Sequence, residues 1–374
     1  MPKQMNLAVV GLSFGGAYIP ALLAHPQVSQ VGLCEPSAST LQAVGDKYGV
    51  PTKYRHATLE EVLASGLYDA VMLLSPIPFH ADQSVAVLEA GLHCACTVPM
   101  ATTEADCQRV EAARVKSGKT YCLLETSLTS NEFFFVQDLV RTGEMGELQF
   151  LKGVWHNHLD QHASWWHGLP PMHYITHPLA PMLALTGRKV KRVSCFGSGT
   201  LPEGFEKGYG NPFPIETAIF ELGQDPLSPD FPVCGDPRRP LAIEITCITA
   251  DTALQNKETF DVFGSKQSFF WAAHRGDDHV LVRRTLTEPR YADKSNPTTT
   301  LRFKGPDIHF NLPDALRHLP SGAFAAPLVH EFVSACIEDR PSLYDVELAK
   351  AVSVPGIRAH QEAMKNFAAQ GEAR

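Results

Sequence analysis

The chain has 374 residues, a formal net charge of −8 and 44% hydrophobic residues. That length exceeds the roughly 250–300 residues at which one core stops growing, so two domains are expected. The acidic balance and the lack of a long basic run exclude nucleic acid and anionic membrane surfaces as expected partners. No apolar run reaches the ~18 residues of a membrane span, and residues 1–5 lead straight into an apolar strand without a signal-peptide pattern, so a cytoplasmic protein is expected. The nine cysteines form no C-x-x-C pair and sit mostly in apolar runs, which reads as reduced core thiols.

In chain order, Met5-Asn-Leu-Ala-Val-Val10 has the length of a buried strand. It feeds into Gly11-Leu-Ser-Phe-Gly-Gly16 and a helix-like stretch ending near His25. Strand, glycine turn and helix together form a pyrophosphate cradle. The first glycine permits the bend, the last allows close helix packing, and the helix start offers N–H groups. Ser13 replaces the middle glycine of G-x-G-x-x-G. Val31-Gly-Leu-Cys-Glu35 is a second strand that ends in a carboxylate about 20 residues further on, placed to accept from a ribose 2′-hydroxyl and to repel a 2′-phosphate. NAD rather than NADP is therefore expected, on Gly11, Ser13, Phe14, Gly15, Gly16 and Glu35.

Two more segments fit the same sheet. Tyr68-Asp-Ala-Val-Met-Leu-Leu-Ser75 precedes Pro76-Ile-Pro-Phe-His80, and Gly91-Leu-His-Cys-Ala-Cys96 precedes Thr97-Val98-Pro99-Met100. This order resembles the glucose-fructose oxidoreductase / inositol dehydrogenase (Gfo/Idh/MocA) family, in which a T-P-x-x-x-H turn follows the fourth strand and an E-K-P turn the fifth. Ser75, Pro76 and His80 match the first turn. In the second only Pro99 survives, and Val98 stands where the family has lysine. The resemblance continues through a helix start with Thr103 as cap, through Tyr121–Leu124 and Glu125, and into His330-Glu-Phe-Val and Asp345-Val-Glu-Leu-Ala-Lys. It adds Ser75, Pro76, His80, Thr97, Val98 and Pro99 to the expected cofactor contacts.

The expected fold is α/β: an N-terminal Rossmann NAD-binding domain over residues 1–123, then a C-terminal α+β domain over 124–374 with an open, mainly antiparallel sheet. Strand-like runs fall at 148–155, 190–196, 241–250 and 257–264, and a helix at 131–142 is ended by Gly143. Residues 201–236 and 288–320, rich in proline, glycine and short polar residues, read as long loops. Helical spacing over 325–368 marks a C-terminal helix that, as the resemblance implies, returns to the Rossmann domain. A homodimer or homotetramer is expected.

Residues 155–177 hold six histidines and three tryptophans in 23 residues. His156, His158 and Asp160 invite a metal reading, but the spacing matches no standard ligand motif and no metal is expected. Tryptophan faces and imidazoles suit a sugar instead, with Trp155, His158, Trp166 and His173 as candidate contacts; packing is the plain alternative for each tryptophan. Basic residues at 188–192 could hold an anionic substituent or form a solvated helix-to-strand turn.

His173-Tyr-Ile-Thr-His177-Pro-Leu-Ala-Pro181 is similar to the Y-x-T-H-x-x-G-P segment of the NAD-dependent retaining glycosidases of the α-N-acetylgalactosaminidase and sulfoquinovosidase type, a branch of the same superfamily. That branch also carries valine-proline in place of lysine-proline. The likeness implies Tyr174, His177 and Glu125 as catalytic residues. Two departures stand out: Trp155 replaces a tyrosine and Ala180 a glycine. The expected chemistry is glycoside hydrolysis through transient oxidation at C3, elimination, water addition and re-reduction. His177 would be the base that Val98 cannot be, Tyr174 would serve the C2 proton or the polarised C3 oxygen, and Glu125 would orient either partner or assist the leaving group. A sugar dehydrogenase is the alternative, and a non-catalytic nucleotide-binding regulator a third reading.

Overall fold

The computed structural model describes residues 3–159, 162–284, 298–305, 312–319 and 325–372. The chain divides into two compact units, Met1–Thr129 with His309–Val354, and Ser130–Ile308 with Pro355–Arg374. Residues 309–354 thus cluster with the N-terminal part of the chain.

The first unit is built on β1 (Met5–Val10), β2 (Val28–Cys34), β3 (Arg55–His56), β4 (Ala70–Leu73), β5 (His93–Thr97) and β6 (Tyr121–Leu124). They form one parallel sheet in the order β3-β2-β1-β4-β5-β6. Parallel sheets are covered on both faces, so their strands are continuous apolar runs: β4 is buried at every residue and β1 at all but Asn6. The expected helix after the glycine turn is two pieces, α1 (Leu12–Gly15) and α2 (Ile19–Ala24). The crossovers are α3 (Ala38–Lys47), α4 (Leu59–Ala64), α5 (His80–Glu89) and α6 (Glu104–Ser117). Thr103 caps α6 as its position suggested, its side chain accepting from Asp106 N, a bond worth about 1 kcal/mol.

The second unit opens with α7 (Asn131–Arg141), capped by Ser130, and β7 (Leu148–His156). Then come α8 (Thr176–Thr186), β8 (Arg188–Ser198), β9 (Ile215–Pro226), β10 (Ala242–Ile248), β11 (Lys257–Gly264), β12 (Gln267–Phe270), β13 (His279–Arg284) and β14 (Thr298–Phe303). The sheet runs β14-β13-β12-β11-β7-β10-β9-β8, with β7 and β10 parallel and the other pairs antiparallel. Buried residues alternate along β10, as expected of a sheet with one face on the core. All of α8 is buried, against β7, β10 and β11.

Four expectations need correction. The stretch 201–236 contains β9, a 12-residue strand paired on both sides, whose alternation Ile215-Glu-Thr-Ala-Ile-Phe220 is obscured by flanking prolines. β14 likewise falls within 288–320, the remainder of which is outside the described residues apart from 304–305 and 312–319. Residues 188–192 are strand, not a solvated turn. Arg188 is buried and its guanidinium donates to Gly223 O, Leu222 O and Arg239 O, while Arg192 pairs with Glu221 at 2.7 Å. The C-terminal helical region follows a short α9 (Asp314–Arg317) and is two helices, α10 (Ala325–Glu338) and α11 (Val346–Glu372). The break is set by Asp339, whose φ of 54° is left-handed, and by Pro341. No helix among the described residues is long and apolar enough to cross a membrane.

Candidate active site

In the first unit the site is three turns at the ends of β1, β4 and β5, flanking the place where the strand order reverses, which is where open α/β sheets bind ligands. Gly11 has φ 85°, and a Cβ there would lie 2.5 Å from Leu74 O, so only glycine lets the first turn pass the fourth strand. Ser13 and Phe14 are exposed on that turn, and Gly15 is buried beneath it. Glu35 closes the turn from β2: its Oε2 accepts from Leu12 N at 3.0 Å and its Oε1 from Ser37 N at 3.1 Å. Each oxygen retains a second lone pair, so the carboxylate can still meet a ribose hydroxyl.

His80 ties the other two turns together. Its Nδ1 donates to Pro99 O at 2.7 Å and its Nε2 to Ser75 O at 2.8 Å. Donating to both carbonyls requires both ring nitrogens protonated, hence a buried imidazolium. Burial alone would pull its pKa down; the adjacent Cys96 sulfur and the two carbonyls outweigh it and raise the pKa to about 9. Ser75 Oγ donates to Gln83 Oε1, and Thr97 Oγ1 to Leu73 O. The Val98–Pro99 bond is cis, and Val98, 4% exposed, offers no proton acceptor. The cradle that a Cβ would fill, the carboxylate after β2 and the exposed turn residues fit a dinucleotide. Glu125, after β6, is fully buried, with Oε1 accepting from Ser127 N at 3.0 Å.

In the second unit the histidine-rich segment separates by role. His177 lies in the first turn of α8 and its Nδ1 approaches Glu258 Oε1 at 3.4 Å. Tyr174 lies just before that helix, its ring centroid 5.1 Å from His177, 4.7 Å from Trp155 and 5.0 Å from Trp166. Trp166 stacks in turn on Trp165 at 4.5 Å. Trp155 is 3% exposed and forms a floor under Tyr174 rather than an open face. His158 is drawn away, its ring donating to Leu254 O, and His167 stacks on Phe205. The ring of His173 stands edge-on to that of His360, 5.3 Å away. Burial, then the charge of His360, lowers the His173 pKa to about 3, which keeps it neutral. Asp160 lies outside the described residues.

Tyr174, His177, Trp155 and Trp166 are thus brought together, whereas His158 and His173 face other partners. Glu258 was not anticipated: it sits on β11 opposite Trp155 of β7, a register that only sheet pairing reveals. A carboxylate at Nδ1 fixes an imidazole's tautomer and stabilises its charged form, so His177 and Glu258 together can take up a proton.

Residues 5–124 match the family described as "Oxidoreductase family, NAD-binding Rossmann fold" (Gfo/Idh/MocA). This segment is similar to that family's NAD-binding domain. Among curated proteins, the chain is 28% identical over 142 residues to 4-carboxy-2-hydroxymuconate-6-semialdehyde dehydrogenase of Sphingobium sp., covering 38% of this chain and 44% of the relative. It is 28% identical over 156 residues to inositol 2-dehydrogenase of Salmonella typhimurium, covering 41% and 46%. The matched part spans less than half the length of these curated relatives. Among solved structures, levoglucosan dehydrogenase in complex with NADH superposes with a TM-score of 0.75 at 15% identity, over 97% of this chain and 98% of the other. Aldose-aldose oxidoreductase from Caulobacter crescentus, complexed with glycerol, gives 0.69 at 17% identity, over 97% and 98%. The latter two likenesses concern the fold: a Rossmann unit and a mixed, mainly antiparallel sheet unit.

Proposed function

We propose that the protein is an NAD-dependent oxidoreductase acting on a secondary hydroxyl of a sugar or sugar-like ring, with His177 as the base. The observation that carries this reading is the His177–Glu258 pair at 3.4 Å beside the Tyr174 ring, in a chain whose Rossmann turn bears Val98 instead of a lysine. NAD, when bound, supplies a hydride acceptor. His177 removes the hydroxyl proton as the C–H bond is broken, and Glu258 holds the ring and balances the charge it gains. The Tyr174 hydroxyl orients the substrate oxygen, and Trp166 lends an aromatic face to the ring. The named curated relatives are a 4-carboxy-2-hydroxymuconate-6-semialdehyde dehydrogenase and an inositol 2-dehydrogenase, which supports net oxidation ahead of hydrolysis.

A second reading, glycoside cleavage through transient oxidation at C3, is favoured by the apolar Val98 and by the Tyr174-x-Thr-His177 segment. There Tyr174 removes the C2 proton, made acidic by the neighbouring ketone, and Glu125 serves the leaving group. One experiment separates the two: incubation with panels of free sugars, inositols and aryl glycosides, following NADH absorbance and aglycone release together. NADH formed in step with product supports oxidation. Aglycone released without NADH, with exchange of a C2 deuterium into water, supports cleavage. Neither signal from any substrate defeats both.

A further inference from the structure

The turn that delivers Tyr174 and His177 is held by groups far from it in sequence. Helix α8 has no side-chain cap, and the preceding turn over Pro171–Tyr174 is one turn of 3-10 helix. Its Met172 N donates to Glu216 Oε2 at 2.9 Å, and the other oxygen of Glu216 accepts from His360 Nδ1 at 2.7 Å. Glu216 is 0% exposed, and a carboxylate so placed is costly unless its oxygens are met by donors. Here each oxygen has one. The carbonyl side of the same residue is gripped as well: a Cβ on Gly356 would lie 2.1 Å from Met172 O and 3.1 Å from Ile175 Cγ1. Gly356 and His360 stand four residues apart on α11, and so on one face of it. The Nδ1 of His173, the next residue, is enclosed with no hydrogen-bond partner among the described residues, so side-chain bonding of His173 contributes little at that atom.

We infer that Glu216, His360 and Gly356 are positioning residues: a clamp on Met172 that sets where Tyr174 and His177 stand. None of them needs to touch the substrate. The inference rests on the catalytic roles proposed for Tyr174 and His177, but the clamp itself has a readout that requires no substrate.

The test pairs amide hydrogen exchange of residues 171–177 with steady-state kinetics on the best substrate and with NAD titration, all on the full chain. His360→Ala is expected to speed exchange in that segment at least tenfold. It should lower kcat by about 10- to 100-fold, the scale of a small misplacement of reacting groups, and leave the Kd for NAD within about twofold. His360→Gln, which can still donate an N–H to Glu216, should recover most of both. Gly356→Ala should act in the same direction without altering the carboxylate, and serves alone if His360→Ala fails to fold. Lys365→Ala, exposed on the same helix, should change neither. Wild-type exchange over 171–177 in folded His360→Ala and Gly356→Ala overturns the clamp. Faster exchange with unchanged kcat, or no recovery in His360→Gln, overturns its positioning role. A wild-type protein that turns over no sugar defeats the functional reading instead, and the exchange result still decides whether the clamp exists.

Discussion

On the proposed reading the two units recognise their ligands by opposite means. The nucleotide-binding unit works through backbone: turns after three neighbouring strands, with Gly11 kept bare so that the chain can pass Leu74 O and His80 spent on two carbonyls. The proposed site of the sheet unit is made of side chains from β7, β11 and the entry to α8, behind which β9 and α11 hold Met172. Backbone recognition tolerates little substitution at the turn but leaves most side chains unconstrained. Side-chain recognition can be re-aimed by changing single residues, which suits a unit proposed to distinguish substrates. Histidine shows the contrast: His80 is a buried cation because both nitrogens donate, whereas His173 is held neutral by its surroundings.

If that division is right, damage should stay on its own side. The largest effect is expected for His177→Ala, a loss of roughly 10²–10⁴ in kcat from removal of a general base, with the Kd for NAD unchanged. A folded variant at full rate would remove His177 from the chemistry. Gly11→Ala should weaken NAD binding by roughly 10–100-fold, the cost of forcing a Cβ into a left-handed turn against a carbonyl, measured by calorimetric titration. Intrinsic tryptophan emission, which reports the cluster of Trp155, Trp165 and Trp166 around Tyr174, should not move. Glu258→Gln keeps the shape of the side chain and removes the charge facing His177; kcat should fall about tenfold, because Glu258 is partly solvated and its pull on the imidazole is screened. Equal loss of NAD affinity in that variant would contradict the division.

The smallest effect is one of pH. The folded pKa of His80 is raised to about 9, above the ordinary value near 6.5. Its contribution is therefore fully present below about pH 6.5 and lost as pH rises through about 9, when one of the two carbonyls loses its donor. NAD affinity and the NAD-dependent rise in Tm should decline between about pH 8 and 10, and a His80→Gln protein should lack this decline. His25 in the same unit behaves oppositely. Burial and then His330 lower its pKa to about 4, so its contribution is present above about pH 6.5 and lost as pH falls towards 4.

Much of the first unit was legible because its signals are local. A parallel strand buried on both faces is a continuous apolar run; Gly11, Glu35 and Val98 each follow directly on one, and Ser75 follows β4 after Leu74. The break between α1 and α2 was missed although Gly16, and Pro20 in the first turn of α2, both mark it. In the second unit, crowding of histidine marked the right segment but not the roles within it. His177, His173 and His158 are sorted by Glu258, His360 and Leu254, which lie far off in sequence. Glu216 was hidden doubly: its strand was masked by prolines, and a glutamate in an alternating strand reads as solvent-facing until its partner on α11 is known.

The arrangement of the first unit bears on the order in which a ribosome delivers it. β6 is the last strand of the parallel sheet, and its Leu123 N donates to Tyr344 O at 2.7 Å, while Met100 N, just after β5, meets Ser353 Oγ. Both partners emerge only after all of residues 130–308 have been made. Throughout that interval the nascent sheet carries an uncovered edge, a surface onto which another unfinished chain can add a strand. Slow translation of the middle of this protein would lengthen that exposure, and a lower yield of folded protein is the expected outcome at reduced elongation rate.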